Sequence, residues 1–163
     1  MSAPVAYSRD QIRLHWAVVA LIAAQYLLHQ PITDQMAALR ASAPAPFDPA
    51  VALHVFAGLA IFGLALWRAF LRVFRGAPTP TKAGPGWARW ATRRSHDAIY
   101  ALLLAIPLTG AIGWFPSWTD AAALHVALQD WLLAVVIAHL ALVAYHHLAL
   151  RTGPLERMRR PEA

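Results

Sequence analysis

Apolar residues in this chain run in long unbroken blocks, not in the alternation of a strand or the one-sided stripe of a soluble helix. Four blocks stand out, at about 12–30, 51–74, 95–115 and 121–150. Each approaches the ~20 residues that a helix needs to cross ~30 Å of hydrocarbon. The segments between them, such as RASAPAPFDP and RGAPTPTKAGPG, carry Pro and Gly that disfavour continued helix and mark loops. No internal repeat divides the chain. The pattern therefore predicts one domain over 1–163, an all-α integral membrane protein built as a four-transmembrane-helix bundle. Pro107 in AIPLTG is expected to kink the third helix.

Composition agrees, since 59% hydrophobic and 13% charged residues are too apolar a mixture for an ordinary soluble domain. Charge then orients the bundle. Of the 14 Lys and Arg residues, all except Arg40 lie in the N-terminal tail, the middle loop with its flanking helix ends, or the C-terminal tail. By the positive-inside rule both termini and the 75–94 loop are cytoplasmic, and the 31–50 and 116–120 loops face outward. The net charge of +6 thus reports topology and contact with lipid, with no nucleic-acid partner implied. The first block starts close to the N-terminus and lacks a small-residue cleavage site, so it is expected to remain as an anchor in a bacterial inner membrane.

The absence of cysteine removes disulfides, thiolate zinc sites, iron–sulfur clusters and c-type haem attachment. Any cofactor must be held by nitrogen or oxygen. Eight histidines are available. His15 and His96 fall near the cytoplasmic side, His29 and His54 near the outer side. The fourth block carries His125 near the outer surface, His139 deeper, and His146 and His147 toward the cytoplasm. At 100° per residue, positions 125, 139 and 146 lie within about 60° of one another, and that face must look into the bundle because ionisable groups facing lipid are costly.

A lone interfacial His such as His29 or His147 reads as a hydrogen-bonded end residue. Aligned imidazoles with no acids or cysteines beside them instead suit haem iron, which takes two axial imidazoles from facing helices, better than zinc or calcium. Bis-histidine haem b follows, and two such sites on one helix would form an electron path across the membrane. Helix rise separates His125 from His139 by about 21 Å and from His146 by about 31 Å. The shorter gap favours His139, whereas depth matches His15 rather better with His146. His15 and His29 share the fourteen-residue spacing, so His29 in place of His54 also remains open.

The fragments RLHW, LHVFAGLAIFGLALWRAFLR, SHDAIYALLLAIPLTG, the LH, IAH and YHH histidines and LERMRRP, in this order and spacing, resemble the bacterial cytochrome b561 family over nearly the whole chain. Its members are four-helix di-haem proteins of the inner membrane. The resemblance implies that His15, His54, His125 and His139 are the axial ligands of haem iron, with His54 and His125 on the outer haem and His15 and His139 on the inner one. Gly58, one turn after His54, would let a flat macrocycle approach the helix, although small-residue helix packing explains it equally well.

The same resemblance implies electron exchange with ubiquinone. His96, Arg93, Arg94, His146 and His147 are the corresponding candidate quinone site, supplying donors to the carbonyls and a histidine able to relay protons. The arginines also suit lipid headgroups, with Trp87 and Trp90 as interfacial anchors. The activity implied is that of a superoxide oxidase, which oxidises periplasmic superoxide to oxygen and reduces ubiquinone. Arg40 against Asp34, Asp48 and Asp120 gives the outer loops no obvious positive funnel for an anion. The first alternative is a quinol-linked cytochrome b carrier serving another periplasmic redox partner. A non-redox metal-binding bundle is a further one, disfavoured by the lack of broken helices and midplane polar groups in the first, second and fourth segments.

Overall fold

The computed structural model describes residues 7–41, 44, 46–76, 78, 84–115 and 118–159. The elements are α1 (Arg9–Leu27), α2 (His29–Arg40), α3 (Pro49–Phe74), α4 (Gly86–Gly113), α5 (Thr119–Leu148) and α6 (Pro154–Arg157), with no strand among the described residues. The chain is thus an all-helical membrane protein. Helices α3, α4 and α5 are long and apolar enough to cross a bilayer, and α1 with the bent continuation in α2 makes a fourth if that pair is one span.

Local chemistry explains each boundary. Helix α1 opens on a capping box: the Ser8 hydroxyl accepts from the Gln11 N–H at 3.3 Å and the Gln11 side chain accepts from the Ser8 N–H at 2.9 Å. It stops at Leu27, three residues short of the predicted end, because Pro31 has no N–H for the Leu27 carbonyl and its ring crowds that turn. The chain bends there by 54° and continues as α2, where a loop over 31–50 was predicted. The stretch MAAL favours helix, and its short, mixed composition leaves no long apolar block to detect. Asp48 caps α3 by accepting from the Ala50 N–H at 2.7 Å, and Pro49 sits at the first helical position, where its missing donor costs nothing.

Helix α4 begins at Gly86, nine residues before the predicted start at 95, because WARWATRR forms a polar helical extension that hydropathy reads as loop. Residues 86–94 of the predicted 75–94 loop are therefore helical. Helix α4 also continues through Pro107 to Gly113. Parts of the predicted loops, at 42–43, 45, 77, 79–83 and 116–117, lie outside the described residues.

The packing is uneven. Helix α1 lies on α3, α3 on α4, and α4 packs most extensively on α5, while no Cα of α5 comes within 8 Å of α1 or α3. Val18, Ile61, Ala65, Leu103 and Leu132 form the buried core, drawn from α1, α3, α4 and α5. Leu66, Trp67, Phe70, Val73, Trp131, Ile137 and Leu140 are exposed, as suits helices whose solvent is lipid. The backbones approach closely near the α4–α5 turn, where a Cβ on Gly113 would stand 2.7 Å from the Ala122 backbone. Two hydrogen bonds reach across the open side: Tyr26 donates to the Gln129 carbonyl at 2.8 Å, and the Trp16 indole to the Met158 carbonyl at 2.9 Å.

Gly113→Val should overpack this contact and destabilise the protein by about 1–3 kcal/mol. Chemical unfolding of the detergent-solubilised protein measures it, and an unchanged midpoint would show that α4 and α5 can separate without cost.

Candidate functional site

The gap between α5 and the α1–α3 pair widens on the α2 side into a cavity of about 530 Å³. This lies within the ~300–1,000 Å³ range of cofactor and ligand sites. His29, His54, Gly58, Gly110, His125 and Gln129 are among its lining residues, and most of the remaining wall is apolar.

His54 of α3 and His125 of α5 face each other across the gap, ring centres 6.3 Å apart and planes at 71°. Two imidazoles that each set a nitrogen about 2.0 Å from a shared metal have ring centres about 6 Å apart. The His125 ring is held from behind. Its Nδ1–H donates to the Ile106 carbonyl at 2.7 Å, which fixes the tautomer and makes Nε2 the acceptor, met by the Gln129 amide at 2.8 Å from one turn along the same helix.

The stretch AIPLTG makes this seat. Ile106 supplies the carbonyl, and Gly110 supplies the clearance, since a Cβ there would lie 2.8 Å from His125 Cε1. On the other wall, Gln25 of α1 donates to the His54 carbonyl at 2.9 Å, and Gly58 leaves room for that amide, with its own would-be Cβ 3.2 Å away. His54 Nδ1 is buried without a hydrogen-bond partner. His29 enters the same cavity from α2 and lies within electrostatic range of both His54 and His125.

Toward the other end of the gap, His139 packs edge-to-face on His96 with ring centres 4.8 Å apart, too close to hold a metal between them. His139 Nδ1 is also buried without a partner. His96 donates Nδ1–H to the Thr92 carbonyl at 2.7 Å, one turn back. His15 lies within electrostatic range of both rings, edge-on to Trp16 at 5.3 Å and 3.4 Å from an Arg68 nitrogen.

The remaining candidates each make contacts of their own. His146 meets the hydroxyls of Thr92 at 3.3 Å and Thr152 at 3.5 Å. His147 faces Glu156 at 3.7 Å, Arg94 pairs with Asp97 at 3.5 Å, and Arg93 is exposed on α4. Trp87 and Trp90 are exposed, with Trp87 stacked on Tyr145 at 5.4 Å. Sequence reasoning did not single out Gln25, Arg68, Tyr100, Gly110 or Gln129. A polar or charged residue inside an apolar block was the signal for Gln25 and Arg68, and the one-turn spacing from His125 was the signal for Gln129.

No group of three or more His, Cys, Asp or Glu able to hold a metal occurs among the described residues. Facing pairs suit a metal that already carries four ligands of its own, as haem iron does. His54 Nδ1 and His139 Nδ1, like His147 Nδ1 and Gln25 Oε1, are buried without a hydrogen-bond partner, a state that costs about 1–3 kcal/mol unless a bound group relieves it.

Fold and site together define a helical membrane protein that presents paired imidazoles to an intramembrane cavity. Residues 6–161 match the model of the family described as prokaryotic cytochrome b561, and the chain belongs to that family. It is accordingly a membrane haem b electron-transfer protein of bacterial type. It is also 28% identical over 155 residues to cytochrome b562 of Cereibacter sphaeroides, a match covering 95% of this chain and 96% of the relative.

Gly110→Ala should push the His125 ring off its carbonyl and lower the haem content of the purified protein. Gly63→Ala, where a Cβ would meet nothing within 4 Å, should leave it unchanged. Pyridine haemochrome assay compares the two, and equal haem content would mean that the Gly110 clearance is not needed.

Proposed function

We propose that the chain is a di-haem superoxide:ubiquinone oxidoreductase of the bacterial inner membrane, oxidising periplasmic superoxide to oxygen and reducing ubiquinone. The observation that carries the reading is the His54–His125 pair, two rings from different helices 6.3 Å apart across a gap where backbone packing is absent. His54 and His125 are assigned as ligands of the outer haem, His15 and His139 as ligands of the inner one. The whole chain 1–163 is assigned as one domain of four spans, α1 with α2 counted as one, with both termini cytoplasmic. The clustering of every Lys and Arg except Arg40 supports that topology.

Haem b supplies reversible one-electron chemistry at iron held by two imidazoles. The remaining tasks belong to the protein. The Ile106 carbonyl orients His125, Gly110 clears its ring, and the mostly apolar walls offer a surface for a macrocycle to pack on. Oxidation of superoxide moves one electron and no proton, so the outer cavity needs to admit a small anion and needs no acid–base pair. Arg40 lines that cavity, whereas Asp34 and Asp48 line a separate recess, which favours anion entry in a way that loop charge alone does not.

Two superoxide ions together give up the two electrons that, with two protons, convert ubiquinone to ubiquinol. The quinone is assigned to the cytoplasmic ends of α4 and α5, among Arg93, Arg94, His96, His146 and His147. Within that set His146, with two threonine hydroxyls in reach, is the proton relay.

Purified protein should carry two b haems, become reduced by superoxide without quinone, and be reoxidised by added ubiquinone, all followed in the visible spectrum. Haems unmoved by superoxide would shift the donor to quinol or another protein. His54→Ala should lose the outer haem and His29→Ala should keep it; the opposite result would transfer that ligand role to His29.

A further inference from the structure

The imidazoles at the two ends of the gap sit in opposite electrostatic surroundings. Arg68 of α3 is half-buried within the apolar stretch LALWRAFLR. One guanidinium nitrogen donates to the Gln11 carbonyl at 3.2 Å, the other lies 3.4 Å from His15 Nδ1, and the group stands 5.9 Å from the centre of the Tyr100 ring. Its neighbours Arg72 and Arg75 have carboxylates at 3.4 and 3.5 Å, in Asp97 and Asp10. Arg68 forms no ion pair within 4.0 Å among the described residues. An uncompensated guanidinium at a membrane helix end is costly, and such groups mark function.

Among the described residues the outer pair has no such cation in contact. His125 gives its Nδ1–H to a backbone carbonyl and meets only a neutral amide on Nε2. Arg40 lines the outer cavity, but among the described residues no guanidinium is hydrogen-bonded to His54 or His125, whereas an Arg68 nitrogen lies 3.4 Å from His15 Nδ1.

We propose that Arg68 sets the reduction potential of the inner haem above that of the outer one, acting as a positioning charge beside His15. The inference rests on the assignment of His15 and His139 to the inner haem. Reduction adds one electron to the site, and a fixed positive charge beside one of its ligand imidazoles stabilises the form that has gained it. On the outer side the bond from His125 to the Ile106 carbonyl makes the imidazole a stronger donor, which favours oxidised iron. Both effects give the same order, inner above outer, and electrons entering from the outer face run downhill toward the cytoplasmic end.

Spectroelectrochemical titration of the purified haem-loaded protein tests this. Wild type should show two waves. In Arg68→Gln the higher midpoint should fall toward the lower one, and in Arg68→Lys it should stay near the wild-type value, with low-spin electron paramagnetic resonance signals showing that both imidazoles still ligate. Independently, the haem kept by His54→Ala should titrate at a higher potential than the haem kept by His15→Ala. Unchanged midpoints in Arg68→Gln with two haems bound would overturn the inference, as would the reverse order in the single-haem forms. Should Arg68→Gln fail to hold its inner haem, the order of those two forms decides. A single haem per chain in wild type would instead overturn the two-haem reading itself.

Discussion

The hydrogen bond from the His125 ring to the Ile106 carbonyl, 2.7 Å long and set inside the apolar interior, ties the candidate site to the packing of two helices. It forms only because α4 carries glycine at 110, where the ring lies, and at 113, where the α5 backbone passes. The close fit of α4 on α5 also determines which backbones α5 does not approach. Drawn to one neighbour, it meets α1 and α3 only through contacts made by side chains, and the gap that results is the space in which imidazoles from two sides face each other.

The two ends of that gap are chemically different although they use the same residue type. Around His54 and His125 the polar partners are neutral: the amides of Gln25 and Gln129, the Tyr26 hydroxyl and backbone carbonyls. Around His15 they include Arg68, with Arg72, Asp97 and Tyr100 beside it. A neutral shell avoids charge within hydrocarbon, and a charged shell is tolerated near the helix ends where headgroups and water can reach.

Much of this was legible in the chain, for identifiable reasons. Long apolar blocks announce helices because membrane spans bury their backbone polar groups by themselves, so the blocks near α3 and α5 were placed within two residues at each end. The amphipathic α2 and the polar start of α4 escaped notice because hydropathy measures what enters lipid, not what is helical. The histidines could be sorted by depth and face, which located the neighbourhoods of His54, His125 and His139. Depth could not say that the His96 ring would rest on His139, since that depends on how α4 rotates against α5. Gly110 was invisible as a site residue because its role is the absence of atoms that a ring on another helix would meet.

Helix α5 is fastened to its neighbours on one flank and left open on the other. Helix α3 joins the two pairs through α4, and the flank of α5 that faces α1 and α3 carries no backbone packing. A cofactor gripped from both sides of that gap would act as a rivet, tying α5 to helices that its own backbone does not approach.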